Sequence, residues 1–516
     1  MSAMIKSTLS VSSMTLLSRV LGLARDIVIA RFFSASDAAD AFFVAFKIPN
    51  FLRRLFAEGA FSLAFVPVLT EYRNNYTMAQ TRDLIDRVAG TLGGILLLLS
   101  AVGVLASPAL IAVFAAGFLD QPSKFDLTAD MLRITFPYIL LISMTAMAGG
   151  ILNTWKRFAA PAFTPVLLNL SMIGCAVWLA PRLDVPITAL AWGVLIAGVA
   201  QLLFQLPFLY REGLLPRPRW GWRHEGVQKI VKLMIPALFG SSVAQINLLF
   251  DTFIASFLVS GSVAWLYYSD RLLEFPLGVF GIALATVVLP NLSQAHYKAG
   301  DDSFNGTLRW ALQLALIIAL PATAGLFLLA QPILATLFEY GAFSARDSLM
   351  ASYSLMAYSL GLPAFILIKI LANGFYARQD TRTPVRIGIE AMCLNMVLNV
   401  VFVVGMLRTD YLAPHVGLAL ATSCSAYYNA FRLARGLRRD RLLGPAAGFA
   451  PALLKILGAC IAMGLLIHFM LPALDSWSGW RWEERLLELA LVIGAAVLCY
   501  AAMLWIMGFR RQHFVA

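Results

Sequence analysis

The chain has 516 residues, 60% of them hydrophobic and only 13% charged, with a net charge of +12 and a mean hydropathy of +0.78. Soluble domains carry about 25% charged residues, so these values exclude a soluble globular protein. Recurrent apolar runs of 18 or more residues instead point to a polytopic helical membrane protein, and the short alternating segments of a β-barrel are missing.

In chain order, the apolar pattern predicts fourteen helices, at about 8–33, 38–70, 84–115, 126–154, 160–180, 186–210, 228–258, 262–294, 306–337, 347–376, 384–407, 414–433, 448–472 and 484–508. The opening MSAMIKSTLSVSSMTLLSRVLG does not match a signal peptide, because serines and Arg19 interrupt its apolar run. The first helix is therefore expected to stay in the mature protein. The second and eighth stretches are long for one span, and Pro49, Pro276 and Pro290 are candidate bends. Alternate connecting loops carry roughly 20 basic residues against about six in the others, which places the basic set and both termini in the cytoplasm. That distribution also explains the net charge without nucleic acid, so no nucleic-acid partner is expected.

The stretch from Ser18 to Glu58 concentrates charge inside two apolar runs. It holds Arg19, Arg25, Asp26, Arg31, Asp40, Lys47, Arg53, Arg54 and Glu58. A charge at the bilayer centre costs about 2.5–3.5 kcal/mol on insertion scales, so these groups must pair or face a water-filled cavity. Their positive excess suits an anionic substrate. On an α-helix Arg19 and Asp26 lie about 20° apart, with Arg25 about 120° away. Asp26 can neutralise one arginine, which leaves a cation for substrate phosphate and makes Asp26 an orienting partner. Arg31, near the helix end, is expected to snorkel. Arg54 and Glu58, spaced i, i+4, suit a structural ion pair, while Arg53 points elsewhere and is free to serve the cavity. Guanidinium fits a pyrophosphate because its fork donates paired hydrogen bonds at fixed charge.

Further along, Asp270, Arg271 and Glu274 form a second charged cluster, which could also be a self-compensated patch or a gate salt bridge. Asp251, Glu390, Asn395 and Asn399 are the remaining intramembrane polar residues; oxygen ligands of this kind suit a hard cation, and interhelical hydrogen bonding is the plainer alternative. Lys369 lies deep in the tenth helix with no evident partner. The five cysteines and five histidines are dispersed, and neither a zinc site nor a disulfide framework is suggested. No phosphate-binding G-x-x-x-x-G-K-[ST] occurs.

The chain repeats itself. ARDIVIARFF (24–33) aligns with LFDTFIASFL (249–258), AFVPVL (64–69) with TVVLPNL (286–292), and TPVLLNLSMIG (164–174) with TPVRIGIEAMC (383–393). Six predicted helices separate equivalent positions, so the halves share one orientation. The expected fold is all-α and polytopic. Two same-orientation six-helix repeats, an N-lobe at 1–220 and a C-lobe at 221–443, surround a central cavity. Two further helices occupy 444–516. Such duplicated bundles typically transport by rocking one half against the other.

The stretches SSMTLLSRVLGLARD, DAFFVAFKIPNFLRRLFAEGAFSLAFVPVL, TFPYILLISMTAMAGGILNTWKRFAAPAF, YYSDRLLEFPLGVFGIALATVVLP and GFYARQDTRTPV resemble the MurJ (MviN) family of lipid II flippases. The resemblance spans nearly the whole chain and includes the six-plus-six-plus-two arrangement. It implies membership of the multidrug/oligosaccharidyl-lipid/polysaccharide exporter superfamily. It also implies a multi-pass protein of the bacterial inner membrane that moves undecaprenyl-pyrophosphoryl-MurNAc(pentapeptide)-GlcNAc to the periplasmic leaflet, not an enzyme. Functionally required arginines of the family fall on Arg19, Arg25, Arg53 and Arg271; Asp40 and Glu58 match its acidic positions. Asp26, Asp40, Arg54, Glu58, Asp270 and Glu274 are candidate supporting or gating residues. The two extra helices would form a groove for the lipid tail. Some members are thought to bind Na⁺ on the seventh and eleventh helices, where Asp251 and Glu390 fall. No cofactor is expected beyond coupling to a monovalent cation or the membrane potential. Lipid II, the bilayer and cell-wall synthesis or division proteins are the expected partners.

The alternatives are a flippase for another undecaprenyl-linked glycan, a drug exporter of the same superfamily, an enzyme acting on polyprenyl phosphates and a scaffold. The extra helix pair and LRRLFAEGAF count against the first two. Dispersed acids count against the enzyme, and a scaffold should survive loss of its arginines.

Overall fold

A bilayer offers no partner for backbone N–H and C=O groups, so a spanning segment must satisfy them within itself as a helix. In the computed structural model every one of the fourteen apolar stretches is helical, and no strand occurs among the described residues. The structure describes residues 2–298, 300–444 and 449–509. Among the described residues, ten helices are long and apolar enough to cross a membrane. The arginine-bearing stretches Ser2–Phe33, Asp37–Asn75 and Val416–Arg439 are not among those ten. The chain is an all-α, multi-pass membrane protein.

Residue contacts divide it into two compact units, Met1–Val263 and Ala264–Ala516. The first unit holds α1 (Ser2–Phe33), α2 (Asp37–Leu52), a π-helical segment (Arg53–Phe61), α3 (Ser62–Asn75), α4 (Met78–Leu105), α5 (Ser107–Phe114), α6 (Pro122–Thr135), α7 (Tyr138–Thr154), α8 (Ala159–Gly174), α9 (Thr188–Arg211) and α10 (Glu225–Ala255). α11 (Ser262–Pro276) begins at the boundary. A π-helical segment (Leu277–Gly281) follows, the third after Arg53–Phe61 and a short one, Cys175–Leu179, that ends α8; then come α12 (Ile282–Lys298), α13 (Gly300–Leu328), α14 (Ala330–Phe338), α15 (Ala345–Tyr376), α16 (Arg382–Arg408), α17 (Val416–Arg439), α18 (Phe449–Met470), α19 (Leu474–Gly479) and α20 (Trp482–Ile506). The unit boundary falls later than residue 220, where the sequence repeat divides, because α10 packs on the first π segment and α3.

The duplication is legible in where helices break. Helix, π segment and helix succeed one another at 37–75 and again at 262–298, and the π segments start at Arg53 and Leu277, 224 residues apart. The long helix after each is interrupted once, between α4 and α5 and between α13 and α14. The prolines explain part of this. Pro49 has no N–H for the carbonyl of Ala45, and the Thr135 hydroxyl of α6 donates to that oxygen at 3.2 Å instead.

In the first unit, α1 packs on α8, α8 and α7 on α9, and α2 on α6. Phe65, Leu69, Leu84, Ile85, Ile151 and Leu209 form its apolar core between α3, α4, α7 and α9. Polar groups inside this bundle are matched across helices. Gln201 Nε2 donates to Thr164 O at 2.9 Å, and Gln205 Nε2 to Thr145 O at 3.2 Å. At the start of α2 the ammonium of Lys124 is almost fully buried, donating to Asp37 at 2.7 Å and to Asp40 at 3.2 Å. Asp40 also accepts from the amide of Gly261 at 2.8 Å. Gly261 sits at φ +91°, a conformation that L side chains avoid. One ion pair thus ties the starts of α2 and α6 to the α10–α11 turn.

In the second unit, α15 and α16 pack on α17, and α13 packs on α15 and α18. The pair α18 and α20 is attached through Tyr500, whose hydroxyl donates to Ile317 O at 2.7 Å. Arg485 adds a second attachment. It is buried at the start of α20, donates to Ala335 O at 2.8 Å and Ser478 O at 3.0 Å, and lies over the Tyr340 ring. At the N-cap of α17, outside the helical span, His415 is wholly buried. Its Nε2 donates to Met350 O at 3.1 Å and its ring lies 5.0 Å from that of Trp265. Burial pushes its pKa down to about 4.

Two outcomes follow from these buried groups. Lys124→Met leaves Asp40 charged and buried, and is expected to destabilise the first unit by about 3–5 kcal/mol; adding Asp40→Asn restores most of that in a melting series. Because His415 stays neutral while an unfolded histidine protonates near 6.5, stability is full above pH 6.5. It falls by about 1.4 kcal/mol per pH unit down toward pH 4. His415→Gln, which keeps a donor but takes up no proton, is expected to flatten that slope when the melting midpoint is followed from pH 7 to 4.5.

Candidate functional site

The α1 arginines occupy different environments. Arg25 is 5% exposed and Asp26 is fully buried. Arg25 donates through Nε and Nη2 to Asp26 Oδ1, at 2.9 and 2.6 Å, and through Nη1 to Asn169 Oδ1 of α8 at 3.1 Å. Asn169 Nδ2 donates to Ser18 O at 3.0 Å, closing a link between α1 and α8. The helical wheel pairs Asp26 with Arg19, but the structure pairs it with Arg25. A long guanidinium arm can reach the neighbouring carboxylate within a buried interface, which a wheel drawn from Cα positions does not capture. Arg19 is exposed and makes no hydrogen bond or ion pair among the described residues, and Arg31 is likewise exposed at the end of α1. A cation presented this way inside an apolar helix is suited to an anion from outside the chain.

The second arginine group lies on the π segment. Arg53 donates through Nε to Asn50 Oδ1 at 2.8 Å, and Arg54 is exposed. Hydrogen bonds in a π segment run from i to i+5, so the i, i+4 geometry expected for Arg54 and Glu58 does not apply over Arg53–Phe61. The side chain of Glu58, and with it that pair, lies outside the described residues. Pro49 and Gly59 flanking a charged run are the only sequence signal for this irregularity. Lys47, one turn earlier, donates to Thr252 Oγ1 of α10 at 3.0 Å, beside Asp251. Asp40 is held by Lys124 and Gly261 as described above.

In the second unit Arg271 donates to Glu274 at 2.9 Å, three residues on in α11, and both side chains remain partly exposed. Asp270 lies beside them on α11. Lys369 of α15 has no polar partner among the described residues, and its stem passes beside Gly281 of the Leu277–Gly281 π segment.

The residues considered for a cation are used otherwise. Glu390 accepts from Arg432 at 2.6 Å and lies 3.3 Å from Arg386, so its carboxylate is already neutralised by guanidinium groups. Asn395 and Asn399 are buried and linked at 2.9 Å, and Asn395 donates on to Thr422 and Ser425 at 3.3 Å. No group of three or more His, Cys, Asp or Glu that could hold a metal ion occurs among the described residues. All five cysteines are free.

An apolar groove of about 940 Å³ runs along the second unit between α13, α18 and α20, past Ile317, Pro321, Met463, Ala496 and Tyr500. The helix pair that lies outside the sequence repeat supplies one wall and α13 the other.

A family model described as lipid II flippase MurJ matches residues 29–479. A probable lipid II flippase MurJ of Vibrio cholerae is 51% identical, covering 99% of this chain and 98% of that protein. The lipid II flippase MurJ of Burkholderia cenocepacia is 43% identical, with the same coverage. Among solved structures, a lipid II flippase MurJ in an inward closed conformation is similar at TM-score 0.80 and 28% identity, over 96% of this chain and 98% of that one. An inward-facing multidrug resistance MATE family transporter of the MOP superfamily, at 15% identity and TM-score 0.67 over 84% and 98%, shares the fold alone. With the family model matched across most of its length and half its residues shared with a full-length relative, the chain belongs to the lipid II flippase MurJ family.

Proposed function

We propose that this chain is a lipid II flippase of the bacterial inner membrane, carrying the lipid-linked disaccharide-pentapeptide to the periplasmic leaflet. Its full-length similarity to flippases of that name carries the reading. Both termini lie in the cytoplasm, in keeping with the roughly threefold excess of basic residues in one set of loops. Cell-wall synthesis or division proteins are its proposed partners.

The arginines divide into two roles. Arg19, exposed and unpartnered among the described residues, and Arg53, aimed by Asn50, grip the pyrophosphate. Arg25 is a positioning residue that locks α1 to α8 through Asn169, so that Arg19 is presented from a fixed helix. Arg271, steadied by Glu274, is the second unit's contribution to the same cycle. The groove along α13, α18 and α20 takes the polyprenyl tail, since a hydrocarbon chain needs a dry path while the headgroup needs a wet one. Uncompensated cation charge makes coupling to the membrane potential reasonable, at ~2.3 kcal/mol per charge per 100 mV.

The test is rescue of a host whose own flippase has been shut off, with lipid II exposed on the periplasmic face as readout and membrane levels of each variant matched. Wild type is expected to restore exposure. Arg19→Ala, Arg53→Ala and Arg271→Ala are each expected to lose at least tenfold, since a charged hydrogen bond is worth about 1.5–3 kcal/mol. Lysine at the same positions should recover only part, because it lacks the fork. Asn169→Ala is expected to lower exposure by a smaller factor and to lower the melting midpoint. Full activity in all the arginine variants would remove the assigned site. Failure of well-inserted wild type would favour another lipid-linked glycan.

A further inference from the structure

A cavity of about 1030 Å³ opens in the second unit where the start of α16 meets the end of α17. Four of its lining side chains are arginines: Arg386 on α16, and Arg432, Arg435 and Arg439 on α17. The last three are spaced i, i+3 and i+7 and share one stripe of the helix. Two carboxylates border them. Glu390 takes up Arg432 and Arg386, and Asp440 takes up Arg378 of the preceding loop at 2.7 Å. Arg435 and Arg439 make no hydrogen bond or ion pair among the described residues. Arg432 is held in place, donating to the Tyr428 hydroxyl at 2.6 Å and lying over its ring. The result is one fixed guanidinium beside two uncommitted ones.

Apolar side chains line the cavity as well: Phe375, Ile387 and Phe431, the last 62% exposed. Outside the lining, Val385 and Ile389 are exposed on α16 to either side of Arg386. α16 is itself one of the helices apolar enough to cross a membrane. A soluble anion would gain nothing from such side chains, whereas a phospholipid presents a phosphate and hydrocarbon side by side. Basic pockets between membrane helices on the cytoplasmic side recognise anionic headgroups in this way.

We propose that this cavity binds the phosphodiester headgroup of an anionic glycerophospholipid, its phosphate between Arg435 and Arg439 and its acyl chains against the exposed apolar face of α16. Only the leaflet depends on the orientation given above, since both loops at this end belong to the basic set. The site shares no residue with those assigned to lipid II, and lipid II transport is not its readout.

Native mass spectrometry of the full chain from detergent, titrated with phosphatidylglycerol or phosphatidylcholine, tests this. Wild type is expected to retain phosphatidylglycerol at activation energies that strip phosphatidylcholine. Arg435→Gln with Arg439→Gln is expected to lower retention at least tenfold. Each single change should lower it about threefold, and Arg408→Gln, at the far end of α16, should leave it unaltered. Neither arginine has a partner to lose among the described residues, so the melting midpoint of the double variant should match wild type; if it does not, the single variants carry the test. Equal retention in wild type and these variants overturns the proposal, as does equal retention of phosphatidylcholine. Displacement of the lipid by millimolar inorganic phosphate or glycerol 3-phosphate would make the site one for free phosphate and overturn the lipid assignment.

Discussion

The bundle depends on how it treats arginine where water is scarce. A guanidinium cannot shed its charge, so inside a membrane helix it must be neutralised, hydrogen-bonded or presented to an anion. Arg25 takes the first course, with Asp26 and Asn169 consuming its donors and α1 fixed to α8 as a result. Arg485 takes the second, wrapped by backbone carbonyls of α14 and the α19 turn. Arg19 takes the third, and its position relies on Arg25 having been neutralised six residues away on the same helix. A carboxylate beside each arginine would make a steadier helix with nothing to offer a pyrophosphate.

The second constraint is backbone irregularity. A regular helix repeats its side chains every 3.6 residues, and a π turn shifts that register by one. Both units carry such a shift at equivalent points of the repeat, immediately after Leu52 and after Pro276. In the first unit the shifted turn bears Arg53 and Arg54. In the second it adjoins Lys369 through Gly281. The π segment Cys175–Leu179, by contrast, has no counterpart in α16, which runs as an α-helix through the equivalent positions.

Much of this was legible beforehand. Helices of 20 or more apolar residues announce themselves by length, and all fourteen stretches are helical. The repeat could be read from three short alignments because it survives where helices bend and pack. The arginines stood out because charge is rare in such surroundings. Their partners did not. Asn169 is one asparagine among apolar residues, 144 positions from Arg25, and nothing local marks it as the group that completes the link. Lys124 reads as one solvated loop lysine, yet it is buried between Asp37 and Asp40. The wheel angles misassigned Asp26 because they locate Cα atoms, whereas ion pairs form at the ends of long side chains. Nor does anything local to Glu390 announce Arg432, which α17 brings against it.

The three-way tie at Asp40 also bears on biogenesis. Lys124 follows Asp40 by 84 residues, so the ion pair can form once α6 has left the ribosome. The third partner, the Gly261 amide, is 221 residues from Asp40 and 137 beyond Lys124. At about 5–20 residues per second that is an interval of roughly 7–30 s. Through it the nascent first unit lacks the Gly261 hydrogen bond to Asp40 Oδ2. Completion of the amino-terminal unit is thereby tied to synthesis of α10 and the turn that follows it.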